Sequence, residues 1–253
     1  MVNRFFVYRN KFSLILQTKQ DIPFVEAQVN IHQPTIKEIS LIGEDNFRLG
    51  VALLDFNRFT VINSQEDETV LEAYSDFEIL MMVLKEQNEV RQPVEFVLNL
   101  LFPEYKIKIE DAEIVLVGPQ GISRINNFNY ENFREIIVEM FCLKTKQAEG
   151  TYNPSDGLAD KIAKKLQERQ KKLAAQKNKE AGKSTSLFAQ YLSILAVGEQ
   201  KDINQLAEYS VYQIYDEFDR YQLKLANDMY FQAKVAGATG MDEVDNWMKD
   251  LHS

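Results

Sequence analysis

Few side chains in this sequence are equipped for chemistry. Cys142 is the one cysteine, and His32 and His252 are the two histidines. A single thiol excludes an intrachain disulfide framework and any zinc site built from several cysteines. Two histidines likewise exclude a histidine-rich catalytic zinc centre. Cys142 stands in the apolar run Ile136-Ile-Val-Glu-Met-Phe-Cys-Leu143 with no histidine nearby, so it reads as a small buried hydrophobe rather than a nucleophile. Ala181-Gly-Lys-Ser-Thr185 contains the end of a phosphate-binding loop. The glycine required five residues before Gly182 is replaced by Lys177, and a charged segment stands where a hydrophobic strand is needed. That stretch reads as a capped turn. Asp216, Glu217 and Asp219 read as a solvent face. Asp242, Glu243 and Asp245 lack the glycine-containing pattern of a calcium loop. His32 has no second ligand in its vicinity and reads as a structural or surface residue, and no serine lies in a nucleophile elbow. The sequence therefore predicts no enzyme activity, no metal and no cofactor.

Charge is distributed unevenly. The chain has 253 residues, 29 basic and 38 acidic, for a formal net charge of -9. Residues 1–157 carry 15 basic and 24 acidic side chains (-9), residues 158–183 carry nine and three (+6), and residues 184–253 carry five and eleven (-6). The acidic balance argues against a general polyanion binder, because such proteins replace counterions with their own positive charge. The basic island includes Lys161, Lys164, Lys165, Arg169, Lys171 and Lys172, interrupted by a thin apolar stripe. It reads as an exposed helix, serving as a solvated linker, as a docking element for an acidic protein face, or as a nucleic-acid contact. It has no aromatic residues for base stacking. Charges interrupt the N-terminal Met1-Val-Asn-Arg-Phe-Phe-Val-Tyr-Arg9 too early for a signal peptide, and no uncharged apolar stretch reaches the length of a membrane span. Folding in a reducing cytoplasm is the expectation.

The elements that would position any site follow from periodicity. Phe5-Phe-Val-Tyr8, Phe12-Ser-Leu-Ile-Leu16 and Val25-Glu-Ala-Gln-Val-Asn-Ile31 read as strands. Pro34 opens a short helix that Gly43 ends, and a second runs from Asp45 through Phe59. Ser75-Asp-Phe-Glu78 is a capping box for a helix over the apolar 77–84 run, and Pro93 opens a helix from Val94 to Phe102. Residues 105–110 and 113–117 alternate as strands, and residues 129–143 form an amphipathic helix. Turn formers from Glu149 to Gly157 mark a boundary. Ser184-Thr-Ser186 caps a helix ending near Gly198, and Asp202 begins a long helix reaching about Ala236. The expected fold class is α+β: a small mixed or antiparallel sheet with packed helices, followed by a mainly α-helical C-terminal region. The expected organisation is an α+β domain over 1–148, a polar linker with an exposed basic helix over 149–186, and a helical domain over 187–253.

Tyr209, Tyr212, Tyr215 and Tyr230 broaden the apolar stripe of the long helix, and Val244, Trp247, Met248 and Leu251 share one face of a short tail. Such aromatics pack against neighbouring helices or serve a partner, since tyrosine, tryptophan and methionine are enriched at binding centres. Tyr212, Tyr215, Trp247, Met248 and Leu251 are the candidates for protein binding.

Two stretches resemble proteins encoded by tailed bacteriophages of Gram-positive hosts. Ile31-His-Gln-Pro-Thr-Ile-Lys-Glu-Ile-Ser-Leu-Ile-Gly-Glu-Asp-Asn-Phe47 is similar to their opening element, and Val211-Tyr-Gln-Ile-Tyr-Asp-Glu-Phe-Asp-Arg-Tyr221 to a later helix. Ala233-Lys-Val-Ala-Gly237 and Asn246-Trp-Met-Lys249 resemble their ending. The resemblance implies a late, non-enzymatic tail assembly chaperone in the host cytoplasm, binding tape-measure or tail-tube protein, with self-association left open. A structural component of tail, neck or baseplate in the virion, and a phage regulatory or host-protein-binding protein, are the alternatives.

Overall fold

The computed structural model describes residues 12–57, 74–119, 121–143, 186–237, 245, 246 and 248. In chain order they form helix α1 over residues 12–17, strands β1 (Ile22–Phe24) and β2 (Val29–Ile31) around a 3-10 turn (Val25–Ala27), and helices α2 (Ile36–Ile42), α3 (Glu44–Leu54), α4 (Asp76–Glu86) and α5 (Asn88–Leu101). Strands β3 (Lys106–Ile109), β4 (Ile114–Gly118) and β5 (Gly121–Ile125) follow, then helices α6 (Tyr130–Met140), α7 (Leu187–Glu199), α8 (Ile203–Ala207) and α9 (Val211–Val235). The fold is α+β, with small antiparallel sheets and packed helices followed by a largely helical C-terminal region.

These residues group into two compact units. The first holds residues 20–34 and 38–143. Its sheets are the β1–β2 hairpin and the antiparallel meander β3-β4-β5. Strand alternation turns Ile114, Leu116 and Ile125 inward, where all three are buried. An aromatic cluster fills the core: Phe133 lies 5.8 Å from Phe24 and 6.2 Å from Phe102, and Phe77 lies 5.0 Å from Tyr130. The Tyr130 hydroxyl donates to the Leu54 carbonyl at 3.0 Å, satisfying a buried polar group at the end of α3. Helix α4 starts at the expected capping box, in which Ser75 Oγ accepts from the Glu78 amide at 3.1 Å and the Glu78 carboxylate accepts from the Ser75 amide at 2.7 Å.

Several local expectations are corrected. Residues 12–17 are helical rather than a strand. The 25–31 segment holds a 3-10 turn before β2, because Gln28 takes a left-handed conformation (φ 57°) that breaks the alternation. Helix α3 stops at Leu54 instead of reaching Phe59. Helix α5 starts at Asn88, so Pro93 lies inside it. Pro93 has no N–H for the Glu89 carbonyl one turn back, and its own carbonyl packs against α3, where a Cβ on Gly50 would lie 2.4 Å from the oxygen. Cys142 sits beyond the end of α6, with φ 53°, and its thiol is half-buried rather than enclosed in a helix.

Candidate functional site

The second unit holds residues 12–19, 35–37 and the C-terminal helices, with Asp245, Asn246 and Met248. Each of the three C-terminal helices begins at a side-chain cap. Ser186 accepts from the Ala189 amide at 3.1 Å, and Asp202 from the Asn204 amide at 2.7 Å. At α9, Ser210 accepts from the Gln213 amide at 3.3 Å while Gln213 Oε1 accepts from the Ser210 amide at 2.9 Å. This second capping box restarts the chain, so the single helix expected from Asp202 is two, α8 and α9. The helix expected to end near Gly198 does so, since α7 runs to Glu199 and closes at Gln200 in a left-handed conformation.

The N-terminal half of α9 is covered. Tyr191 stacks on Phe218 at 4.1 Å and meets Tyr215 edge-on at 5.5 Å, and Phe188 lies 6.4 Å from Tyr215. Gly198 lets α7 approach closely, since a Cβ there would stand 2.3 Å from the Tyr221 ring. Asp216 is only 5% exposed and accepts from Gln17 Nε2 at 2.7 Å and from Arg220 Nε at 3.0 Å. Glu217 pairs with Lys201. Burial opposes the Lys201 charge, but the Glu217 hydrogen bond and attraction outweigh it and hold its pKa above the ordinary lysine value. The reading of 216, 217 and 219 as one solvent face is thus corrected: Asp219 is exposed, but Asp216 is a buried bonding partner. Sequence offered one signal, the spacing of Asp216 and Arg220 four apart on a helix.

The C-terminal half of α9 is different. Leu225 and Met229 lie one turn apart and are exposed, as are Phe231, at 60%, and Val235, at 90%. Asn227 Nδ2 donates to the Asp245 carbonyl at 2.6 Å, which ties that backbone to the helix. Among the sequence-predicted binding residues, Tyr212 is buried in the core, Tyr215 is half-buried within the aromatic cluster, and Met248 is exposed. Trp247 and Leu251 lie outside the described residues, as do Lys161, Lys164, Lys165, Arg169, Lys171 and Lys172. Leu225 and Met229 continue the periodicity of the covered half, so the sequence does not distinguish them from it, whereas Phe231 and Val235 lie about 120° round the helix from that pair.

In the first unit, His32 bridges two carboxylates, with Nδ1 3.3 Å from Asp21 and Nε2 3.3 Å from Glu38. Asp55 is held above the ordinary carboxylate range by burial, which the Arg134 guanidinium 3.6 Å away partly offsets. Among the described residues no group of three or more histidine, cysteine, aspartate or glutamate side chains is placed to hold a metal ion, and no helix is long and apolar enough to cross a membrane.

Residues 177–252, which span α7, α8 and α9, match the family model described as the YomV second domain. No curated protein and no solved structure matches the chain.

Proposed function

We propose that this chain is a non-enzymatic protein-binding protein that acts as a tail assembly chaperone of a tailed bacteriophage. It holds tape-measure or tail-tube protein in the host cytoplasm until assembly. The observation that carries this reading is the apolar surface of the C-terminal half of α9, where Leu225, Met229, Phe231 and Val235 stand in water. Exposed apolar side chains gathered along one helix suit a protein surface, and the aromatic and methionine content matches binding centres. The chaperone works by covering an apolar helical client, with no bond chemistry. The resemblance of residues 211–221 to tail morphogenesis proteins supplies the client class.

Quantitative mass spectrometry tests this on washed virions and on complexes captured by the tagged chain from infected cells. Enrichment of tape-measure or tube protein in the capture, with the chain absent from virions, is the expected result. A fixed copy number in washed particles would make the chain a structural component of tail, neck or baseplate. Absence from both would remove the tail reading and favour a regulatory or host-binding role.

A further inference from the structure

The outer face of the β3-β4-β5 sheet, in the first unit, carries a second surface. The register sets Lys106 opposite Val117 and Val117 opposite Ile122, and in the next row Lys108, Val115 and Arg124. Alternation puts these six side chains on one face, away from Ile114, Leu116 and Ile125. On an open antiparallel face polar residues are the expectation. Here Val117 and Ile122 are 36% and 59% exposed and directly opposite each other, so they join into one apolar patch over the buried Val115.

Three cations surround that patch on a chain whose net charge is -9. Arg124 is tied to Glu113 at 2.9 Å. Among the described residues no carboxylate pairs with Lys106 or Lys108, and both are exposed. Glu110 and Glu113 stand one row further on, at the β3–β4 turn, so the positive rows are those nearest the β4–β5 turn.

We propose that this face docks an acidic, apolar-containing segment of a partner protein, with Val117 and Ile122 receiving its apolar side chains and Lys106 and Lys108 its carboxylates. A polynucleotide is disfavoured, because the face offers three cations, no aromatic residue for stacking, and an acidic chain behind it. The proposal stands independently of the reading given to α9.

Fluorescence anisotropy on the full chain tests it with labelled peptides of alternating leucine and glutamate, leucine and lysine, or leucine and serine, and with oligothymidylate. The leucine–glutamate peptide should bind, and more weakly as salt rises. Lys106→Glu combined with Lys108→Glu should reduce that affinity at least about tenfold. Ile122→Ser should weaken it too, and Arg48→Glu on α3 should leave it within about twofold. Circular dichroism melting of each variant confirms that the fold persists, and Ile122→Ser tests the patch without altering charge. Equal binding of the leucine–lysine peptide, preference for oligothymidylate, or unchanged affinity in the double charge reversal would each overturn the proposal.

Discussion

Gln17 donates from Nε2 to Asp216 Oδ2 at 2.7 Å, joining two residues 199 positions apart in the chain. Because Asp216 is buried and also accepts from Arg220, removing its carboxylate takes an acceptor from two donors at once. Asp216→Ala should therefore cost about 2 kcal/mol of stability. A urea unfolding midpoint measured beside Gln17→Ala checks this. The aspartate variant should lose more than the glutamine variant, and the double variant less than the sum of the two, because the pair shares one interaction.

Gly50 faces the Pro93 carbonyl and Val97 across the α3–α5 contact, and a Cβ would meet backbone at 2.4 Å. Helix propensity alone would make Gly50→Ala stabilising by about 1 kcal/mol. The clash reverses the sign, since backbone atoms of two packed helices cannot rotate away. We expect net destabilisation of about 1–3 kcal/mol, read as a lower melting temperature. A rise would show that the two helices separate without cost.

Asp55 supplies a pH dependence. Its folded carboxyl is raised above the ordinary value by burial, so its favourable contribution is complete below the unfolded value and is lost as pH rises through the folded one. Burial raises Glu135 in the same direction. Asp55→Asn removes the titration. The variant should gain on the natural protein at neutral pH, and the difference should shrink as pH falls into the carboxylate range. Paired denaturant midpoints at several pH values measure this, and a gap that widens on acidification would contradict it.

Met229 and Val235 separate surface from core on α9. Both are largely exposed, so Met229→Glu combined with Val235→Glu should change stability by less than about 0.5 kcal/mol. The same pair should abolish capture of tape-measure or tube protein from infected cells. Intact capture by a well-folded double variant would remove α9 as the client surface.

Much of the local structure was legible. The Ser75 box, the β3–β4 alternation and the left-handed Gly43 at the end of α2 each rest on side-chain or backbone chemistry within a few residues. What was not legible depends on distant partners. Residues 12–16 alternate enough to resemble a strand, yet the helix they form is fixed by neighbours such as Gln213, whose Nε2 donates to the Gln17 carbonyl at 2.6 Å. Asp216 belongs to an acidic triplet in sequence, and only the folded contacts distinguish it from Asp219. Leu225 and Met229 share the stripe of Phe218 and Tyr221, and apolar spacing reports a helical face without reporting what covers it, while Phe231 and Val235 lie off that stripe.

The C-terminal helical unit also draws on early parts of the chain: Ile36 donates to the Tyr209 carbonyl at 3.0 Å, and Thr35 bridges Ser210. On the ribosome, residues 35–37 emerge long before these partners are made. At roughly 5–20 residues per second the wait is on the order of ten to thirty seconds. Residues 177–252 produced alone would lack the Thr35 bridge to Ser210 and the Gln17 bond to Asp216, so the unit is completed only after the whole intervening segment has been synthesised.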